Sequence, residues 1–178
     1  LTANGGATFS GFGRSFAGRR LIIPVGKTAL WNGGDFNAEP GAVLEIGGLL
    51  DLVFDGQYFG FFNGGTVTNS GTVRKSGGNG NSQITVPFDN SGSLEVNSGQ
   101  VDLAGGGTGN GSFTASAGKT LGFSSGTFNL GPSASISGAG KISLTSATVN
   151  FGGNYNVAGT TAFDGGTFNF SSGASIQS

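Results

Sequence analysis

Short alternations of apolar and polar residues recur along most of this chain. In residues 126–130 the apolar side chains are Phe128 and Leu130, and they alternate with the polar Thr127 and Asn129. Side chains two positions apart lie on the same face of an extended strand. The alternation therefore predicts short strands that bury one face. The side chains expected to point inward are Phe128, Leu130, Val149, Phe151, Phe168 and Phe170.

Turn-forming residues separate these predicted strands. The motifs Asn-Ser-Gly and Asn-Gly occur repeatedly, and both suit positive backbone dihedral angles. No stretch has the periodicity of an amphipathic helix, so the sequence predicts an all-β chain. The asparagines of these motifs are Asn69, Asn90 and Asn97 in Asn-Ser-Gly, and Asn4, Asn32, Asn63, Asn79 and Asn110 in Asn-Gly.

The chain also repeats itself. Gly26-Lys27-Thr28 returns as Gly118-Lys119-Thr120. Thr127-Phe128-Asn129 returns as Thr167-Phe168-Asn169, and Thr148-Val149-Asn150 lies between these two copies. The spacing gives a unit of about 20 residues, a period that is typical of solenoids and other repeat arrays.

Two all-β architectures fit this pattern. Asn-Gly between strands is a hairpin signal, which favours an antiparallel sandwich. A sandwich gives no reason for a regular repeat, whereas stacked coils place equivalent residues on neighbouring coils about 4.8 Å apart. The sequence therefore predicts a single parallel β-solenoid (β-helix) with coils of about 20 residues. A right-handed solenoid is the expectation, because parallel crossovers are overwhelmingly right-handed.

The composition restricts the class of protein. Sixteen phenylalanines in 178 residues supply the apolar area that disordered segments lack. The formal net charge is -1, so we expect no nucleic-acid partner and no general attraction to an anionic membrane. No apolar run approaches the roughly 20 residues that cross a bilayer. Membrane insertion is therefore not expected either.

Candidate catalytic residues are sparse. Histidine and cysteine are absent, which removes the commonest general base and all thiolate chemistry. A polysaccharide-degrading enzyme could still use two carboxylates. Coils of about 20 residues would bring Arg74 and Lys75 close to Asp55 and Glu95, and we interpret this patch as solvated charges. The sequence predicts that the protein is not an enzyme, with no catalytic, metal-binding or cofactor-binding residues and no cofactor.

Consecutive aromatic residues form a candidate contact surface. Tyr58, Phe59, Phe61 and Phe62 are so close in sequence that alternation allows only about half of them to point inward. Two interpretations stay open for these residues. They pack as a flap over the core, or they contact another subunit or a sugar ring.

A column of polar residues is expected on the outer surface. If the coils stack as predicted, three threonines lie above one another beside three asparagines. Such ladders mostly stabilise the stack through side-chain hydrogen bonds, and ice binding would need more regular threonine rows than this chain has. The residues of the column are Thr127, Thr148, Thr167, Asn129, Asn150 and Asn169.

The repeats resemble those of a known group of proteins. Residues 125–130 (Ser-Gly-Thr-Phe-Asn-Leu) and 90–96 (Asn-Ser-Gly-Ser-Leu-Glu-Val) are similar to the Gly/Ser/Thr/Asn-rich β-strand repeats of large bacterial secreted and surface proteins, including autotransporter passengers and filamentous adhesins. The resemblance extends from about Gly26 to the end of the chain, and it is one of repeat style. It implies an extracellular or cell-surface location and a structural or adhesive role.

Head-to-tail self-association into a surface fibre or layer is the predicted function. Solenoids normally cover their end coils with a polar cap, and residues 166–178 still carry the repeat phrase. Residues 1–25 are expected to form an N-terminal segment that serves as a cap or a subunit-contact arm through Phe9, Phe12 and Phe16. Residues 26–178 are expected to be the solenoid repeats.

A segment of a longer protein is the open alternative. The chain starts at Leu1 and contains no methionine, so we expect a processed precursor or a cloned fragment. In that case the chain would be part of an adhesin or of a glycan-binding surface protein, with surface glycans as partners. A polysaccharide-degrading β-helix enzyme and an ice-binding protein are the remaining alternatives.

Overall fold

The chain folds as stacked parallel strands. The computed structural model describes residues 1–11, 14–34, 36–55, 58–59 and 64–177. Within these ranges every regular element is a β-strand, and every strand pair is parallel. Equivalent residues recur with a spacing of roughly 21 residues. The predicted single parallel β-solenoid is therefore confirmed, and its right-handedness stays a prediction.

Three long sheets and one short sheet form the walls of the solenoid. The first sheet has the order β1 (Ala7–Phe9), β4 (Thr28–Trp31), β7 (Leu49–Leu52), β10 (Thr72–Lys75), β13 (Ser93–Val96), β16 (Ser112–Ala115), β19 (Ser135–Gly138), β22 (Asn154–Val157) and β25 (Ser175–Gln177). The second sheet has the order β3 (Arg20–Ile23), β6 (Val43–Ile46), β9 (Thr66–Asn69), β12 (Phe88–Asn90), β15 (Gly107–Gly109), β18 (Thr127–Leu130), β21 (Thr148–Phe151) and β24 (Thr167–Phe170). The third sheet has the order β8 (Tyr58–Phe59), β11 (Asn81–Ile84), β14 (Gln100–Leu103), β17 (Thr120–Phe123), β20 (Lys141–Leu144) and β23 (Thr160–Phe163), and β2 (Arg14–Phe16) pairs with β5 (Phe36–Ala38).

Apolar columns fill the interior, because alternate residues of each strand point inward and stack on their neighbours. Phe128 is 1% exposed, and its ring meets that of Phe123 edge-on at a centroid distance of 5.0 Å. Leu130, Val149 and Phe151 are buried as predicted. This core runs the length of the solenoid.

Phe168 and Phe170 point inward as predicted, but neither ring is fully buried. Both residues occupy the inward columns, in register with Val149 and Phe151. Phe168 is only half-buried and Phe170 is 36% exposed. The reason is that β24 is the last strand of its sheet among the described residues, so none of their coils covers the two rings.

Two of the three Asn-Ser-Gly motifs close the corner between the second and first sheets, and the third, at Asn97, lies between the first and third sheets. Asn69 and Asn90 are the last residues of β9 and β12 and are buried, and the Asn69 side-chain amide donates to Asn90 Oδ1 at 2.8 Å. A Cβ atom at Gly71 would lie 2.1 Å from the Gly48 carbonyl oxygen, and one at Gly92 would lie 2.1 Å from that of Gly71. Glycine is therefore required where successive coils approach most closely.

Candidate functional site

A charged ladder lies on the outer face of the first sheet. Arg74 is in register with Asp51 on one side and with Glu95 on the other. The Arg74 guanidinium donates to Asp51 Oδ2 at 2.7 Å, and this hydrogen bond raises the pKa of Arg74 above its usual range. The predicted approach of Arg74 to Glu95 across one coil is confirmed.

Lys75 shows that the interpretation of this patch as solvated charges was wrong. Its side chain occupies an inward column, in register with Leu52 and Val96, and is 0% exposed. The ammonium donates to the Phe54 carbonyl oxygen at 3.2 Å, to Asp55 Oδ1 at 3.1 Å and to Ser82 Oγ at 3.1 Å. Because these bonds use all three N–H donors, the buried charge is fully satisfied.

Asp55 is held ionised by the same cluster. Burial alone would raise the pKa of Asp55, but hydrogen bonds from the Gly80 N–H, the Lys75 ammonium and the Asn79 N–H outweigh burial and lower this pKa below its ordinary value. The Asn79 N–H donates to Asp55 Oδ2 at 2.6 Å. The cluster thereby joins residues 54–55 to the following coil.

The lowered pKa predicts a pH-dependent contribution to stability. An acidic group whose pKa is lower in the folded state than in the unfolded state stabilises the fold when the pH is above the unfolded-state pKa. This stabilisation is lost as the pH falls through the folded-state pKa. We expect the stability difference between the native chain and Asp55→Asn to be constant near neutral pH and to shrink below about pH 4. Urea unfolding of both chains across this range measures it. A difference that stays constant down to pH 2 would contradict the assignment.

The last coil exposes a terminal apolar face, defined here as Phe163, Phe168, Phe170 and Ile176. These residues lie in β23, β24 and β25, each the last strand of its sheet. Phe163 is 59% exposed and Ile176 is 58% exposed. The rings of Phe168 and Phe170 stack at a centroid distance of 4.5 Å. The solenoid therefore presents aromatic surface and unpaired strand edges at this end.

The first coil encloses an N-terminal hollow of about 570 Å³. Its apolar lining includes Leu1, Ala7, Phe9, Leu21 and Phe36. The ring of Phe9 packs at 5.2 Å from that of Phe36, so Phe9 forms part of the wall. The hollow opens at the opposite end of the solenoid from the terminal apolar face.

An outward column follows the second sheet along the solenoid axis, as predicted. Asn169 donates its side-chain amide to Asn150 Oδ1, and Asn150 donates to Asn129 Oδ1, both at 2.8 Å. The threonines stack in register beside them. Two further hollows lie along this column, of about 360 Å³ beside Thr68 and about 400 Å³ beside Asn150.

The other predicted contact residues are only partly described. Tyr58 and Phe59 form β8, and Phe16 ends β2, but the side chains of these three residues lie outside the described part of the structure. Phe12, Phe61 and Phe62 lie outside it altogether. Their role as subunit or glycan contacts stays a prediction.

The fold defines the chain as a parallel β-solenoid repeat protein. Comparison with known proteins finds no matching family model, and no curated protein or solved structure is significantly similar to it. Across the ranges that the structure describes, no group of three or more acidic side chains is arranged to hold a metal ion. No helix in those ranges is suited to crossing a membrane.

Proposed function

We propose that this chain is a structural, extracellular β-solenoid that self-associates head-to-tail into a surface fibre or layer. The observation that carries the proposal is the terminal apolar face, where Phe163, Phe170 and Ile176 are exposed beside three unpaired strand edges. Unpaired edges are templates for pairing with another chain. Burying this face against a second copy removes apolar area from water and satisfies the backbone groups at the same time.

Both ends of the solenoid present apolar groups. The terminal apolar face presents the stacked rings of Phe168 and Phe170, and the N-terminal hollow is large enough to receive apolar side chains. If the copies stack with their sheets aligned, β1 follows β25 in the first sheet. A contact that joins unlike ends does not close on itself, so it propagates into a filament.

The charges at the two ends also favour this orientation. Arg19 lies in the turn before β3, and Asp164 lies in the turn before β24, so both occupy the corner that leads into the second sheet. Both side chains are exposed, and the carboxylate of Asp164 also lies 3.9 Å from the Lys141 ammonium in a solvent-exposed pair. Aligned stacking of two copies brings these opposite charges to the same edge of the junction. Charges placed in this way contribute modestly to the affinity between two copies and more to its specificity.

The extracellular location rests on the style of the repeats. Short strands rich in Gly, Ser, Thr and Asn resemble those of secreted and surface proteins of bacteria. A structural or adhesive role suits a long stack of coils that presents repeated surfaces. The same coils would serve a longer adhesin, in which adjoining coils take the place of the second copy.

We also propose that the chain has no enzymatic activity. Glu45 and Asp89 lie on alternate strands of one face, as a pair of catalytic carboxylates would. Glu45 is paired with Arg20, and Asp89 Oδ1 accepts hydrogen bonds from both the N–H and the hydroxyl of Thr108. Both carboxylates therefore already have structural partners.

Sedimentation velocity tests self-association. Phe163→Asp with Ile176→Lys places two charges on the terminal apolar face, and we expect this variant to remain monomeric where the native chain forms species of increasing mass. Leu30→Lys is the matched control, because Leu30 is 39% exposed on the outer face of the first sheet, and we expect it to associate like the native chain. A native chain that is monomeric at all concentrations contradicts the proposal.

A further inference from the structure

The outward column of the second sheet lines two hollows, one along each half of the column, and we call the column with its two hollows the axial groove. Its floor is set by residues that follow one another in register from coil to coil, so one side chain per coil points into it. The side chains of the axial groove are Glu45, Thr68, Asp89, Thr108, Asn129, Asn150 and Asn169.

Small residues open one wall of the axial groove. Ser70 and Ser91 line the hollow of about 360 Å³ at the first half. Gly131, Gly152 and Ser171 line the hollow of about 400 Å³ at the second half. These residues directly follow the strands of the second sheet. Because they carry little or no side chain, they leave open space beside the polar column.

The groups in the axial groove retain hydrogen-bonding capacity. Each asparagine amide has two N–H donors and one carbonyl acceptor. The ladder uses one N–H of Asn150 and one of Asn169, so Asn129 keeps both donors and Asn169 keeps its carbonyl oxygen. The Thr68 hydroxyl has no hydrogen-bond partner among the described residues. Donors and acceptors therefore face outward on successive coils.

The spacing of these groups defines the shape of a ligand. Neighbouring coils are about 4.8 Å apart, so seven coils present a line of polar groups roughly 29 Å long. An extended chain of β-linked pyranose sugars advances by a similar distance per ring and carries hydroxyls that both donate and accept.

The charge of the axial groove selects among such chains. Its two ionisable residues are Glu45 and Asp89, and the other five are neutral. Glu45 is ion-paired with Arg20, whereas Asp89 accepts hydrogen bonds from Thr108 and has no basic partner among the described residues. The uncompensated negative charge of Asp89 disfavours polymers of uronic acids. We propose that the axial groove binds an extended, neutral, β-linked polysaccharide, at a site that does not require self-association and that meets the terminal apolar face only at Phe170.

Calorimetric titration with defined oligosaccharides tests this site. The probes are cellohexaose, xylohexaose and mannohexaose, with the corresponding disaccharides and hexagalacturonate for comparison. We expect at least one neutral hexasaccharide to bind, at least ten-fold more tightly than its disaccharide and than hexagalacturonate. If no neutral hexasaccharide binds at millimolar concentration, or if the disaccharide binds as tightly as the hexasaccharide, the proposal is overturned.

Two matched variants locate the binding. Asn150→Leu removes the amide at the middle of the second half of the axial groove and is expected to weaken hexasaccharide binding at least ten-fold. Asn156→Leu is the control, because Asn156 is exposed on the first sheet, and we expect less than a two-fold effect. Circular dichroism verifies that both variants fold. Equal losses of affinity in the two variants, or none in Asn150→Leu, would place any binding outside the axial groove and overturn the proposal.

Discussion

Replacing Phe128 with aspartate is expected to unfold the coils around β18. The Phe128 ring is 1% exposed and packs against Phe123. Loss of a buried phenylalanine costs about 3–5 kcal/mol, and a carboxylate buried without a partner costs several kcal/mol more. This total is comparable to the whole stability of a typical domain, about 5–15 kcal/mol. In a guanidinium titration monitored by circular dichroism at room temperature, we expect the variant to show no folded baseline.

The neighbouring residue supplies the control for this change. Thr127 precedes Phe128 in the same strand, but its side chain is exposed on the outer surface. Thr127→Asp introduces the same charge one position away, and we expect it to change the free energy of unfolding by less than about 1 kcal/mol. Similar midpoints for the two variants would mean that the inward and outward faces of β18 are assigned incorrectly.

Removing the carboxylate of Asp55 is expected to have the second-largest effect. Asp55→Ala leaves the fully buried ammonium of Lys75 with only two neutral acceptors, the Phe54 carbonyl and the Ser82 hydroxyl. Removing one partner of a buried ion pair lowers the free energy of unfolding by about 3–5 kcal/mol. Because the Asp55 side chain is 38% exposed, solvent reduces this effect, and we expect about 1–3 kcal/mol. Urea unfolding measures it.

A double-mutant cycle separates the pair from its surroundings. Lys75→Met replaces the ammonium with an apolar side chain of similar length between Leu52 and Val96. In this background Asp55→Ala is expected to cost much less than it does in the native chain, because no buried charge is left without its partner. Equal costs in both backgrounds would show that Asp55 stabilises the fold independently of Lys75.

The fold was predictable because the repeat and the alternation agree. The Thr-Phe-Asn phrases at 127–129 and 167–169 gave the coil length, and alternation placed Phe128 and Leu130 inside. Burial at the end of the solenoid was not predictable in the same way. Phe168 and Phe170 repeat the core pattern, but their exposure depends on whether another coil follows β24 in the stack.

The buried lysine and the full length of the axial groove required the three-dimensional structure. Alternation in Thr72–Lys75 puts Lys75 on the same face as Val73, but a lysine is almost never fully buried unless it is paired. Its acceptors Phe54 and Asp55 come from the preceding coil and Ser82 from the next strand. The column of Asn129, Asn150 and Asn169 was predicted, but its continuation was not, because the residue type changes from coil to coil. The further residues of the column are Thr108, Asp89, Thr68 and Glu45.

Head-to-tail assembly is the central claim about function, and electron microscopy of the 178-residue chain tests it most directly. We predict unbranched filaments one solenoid wide at high protein concentration, and we predict that they disappear when residues 1–16, which include Leu1, Ala7 and Phe9 of the N-terminal hollow, are deleted. Circular dichroism of the shortened chain must show that the remaining coils are folded. A monodisperse monomer at the same concentration, or filaments that persist after the deletion, would contradict the claim.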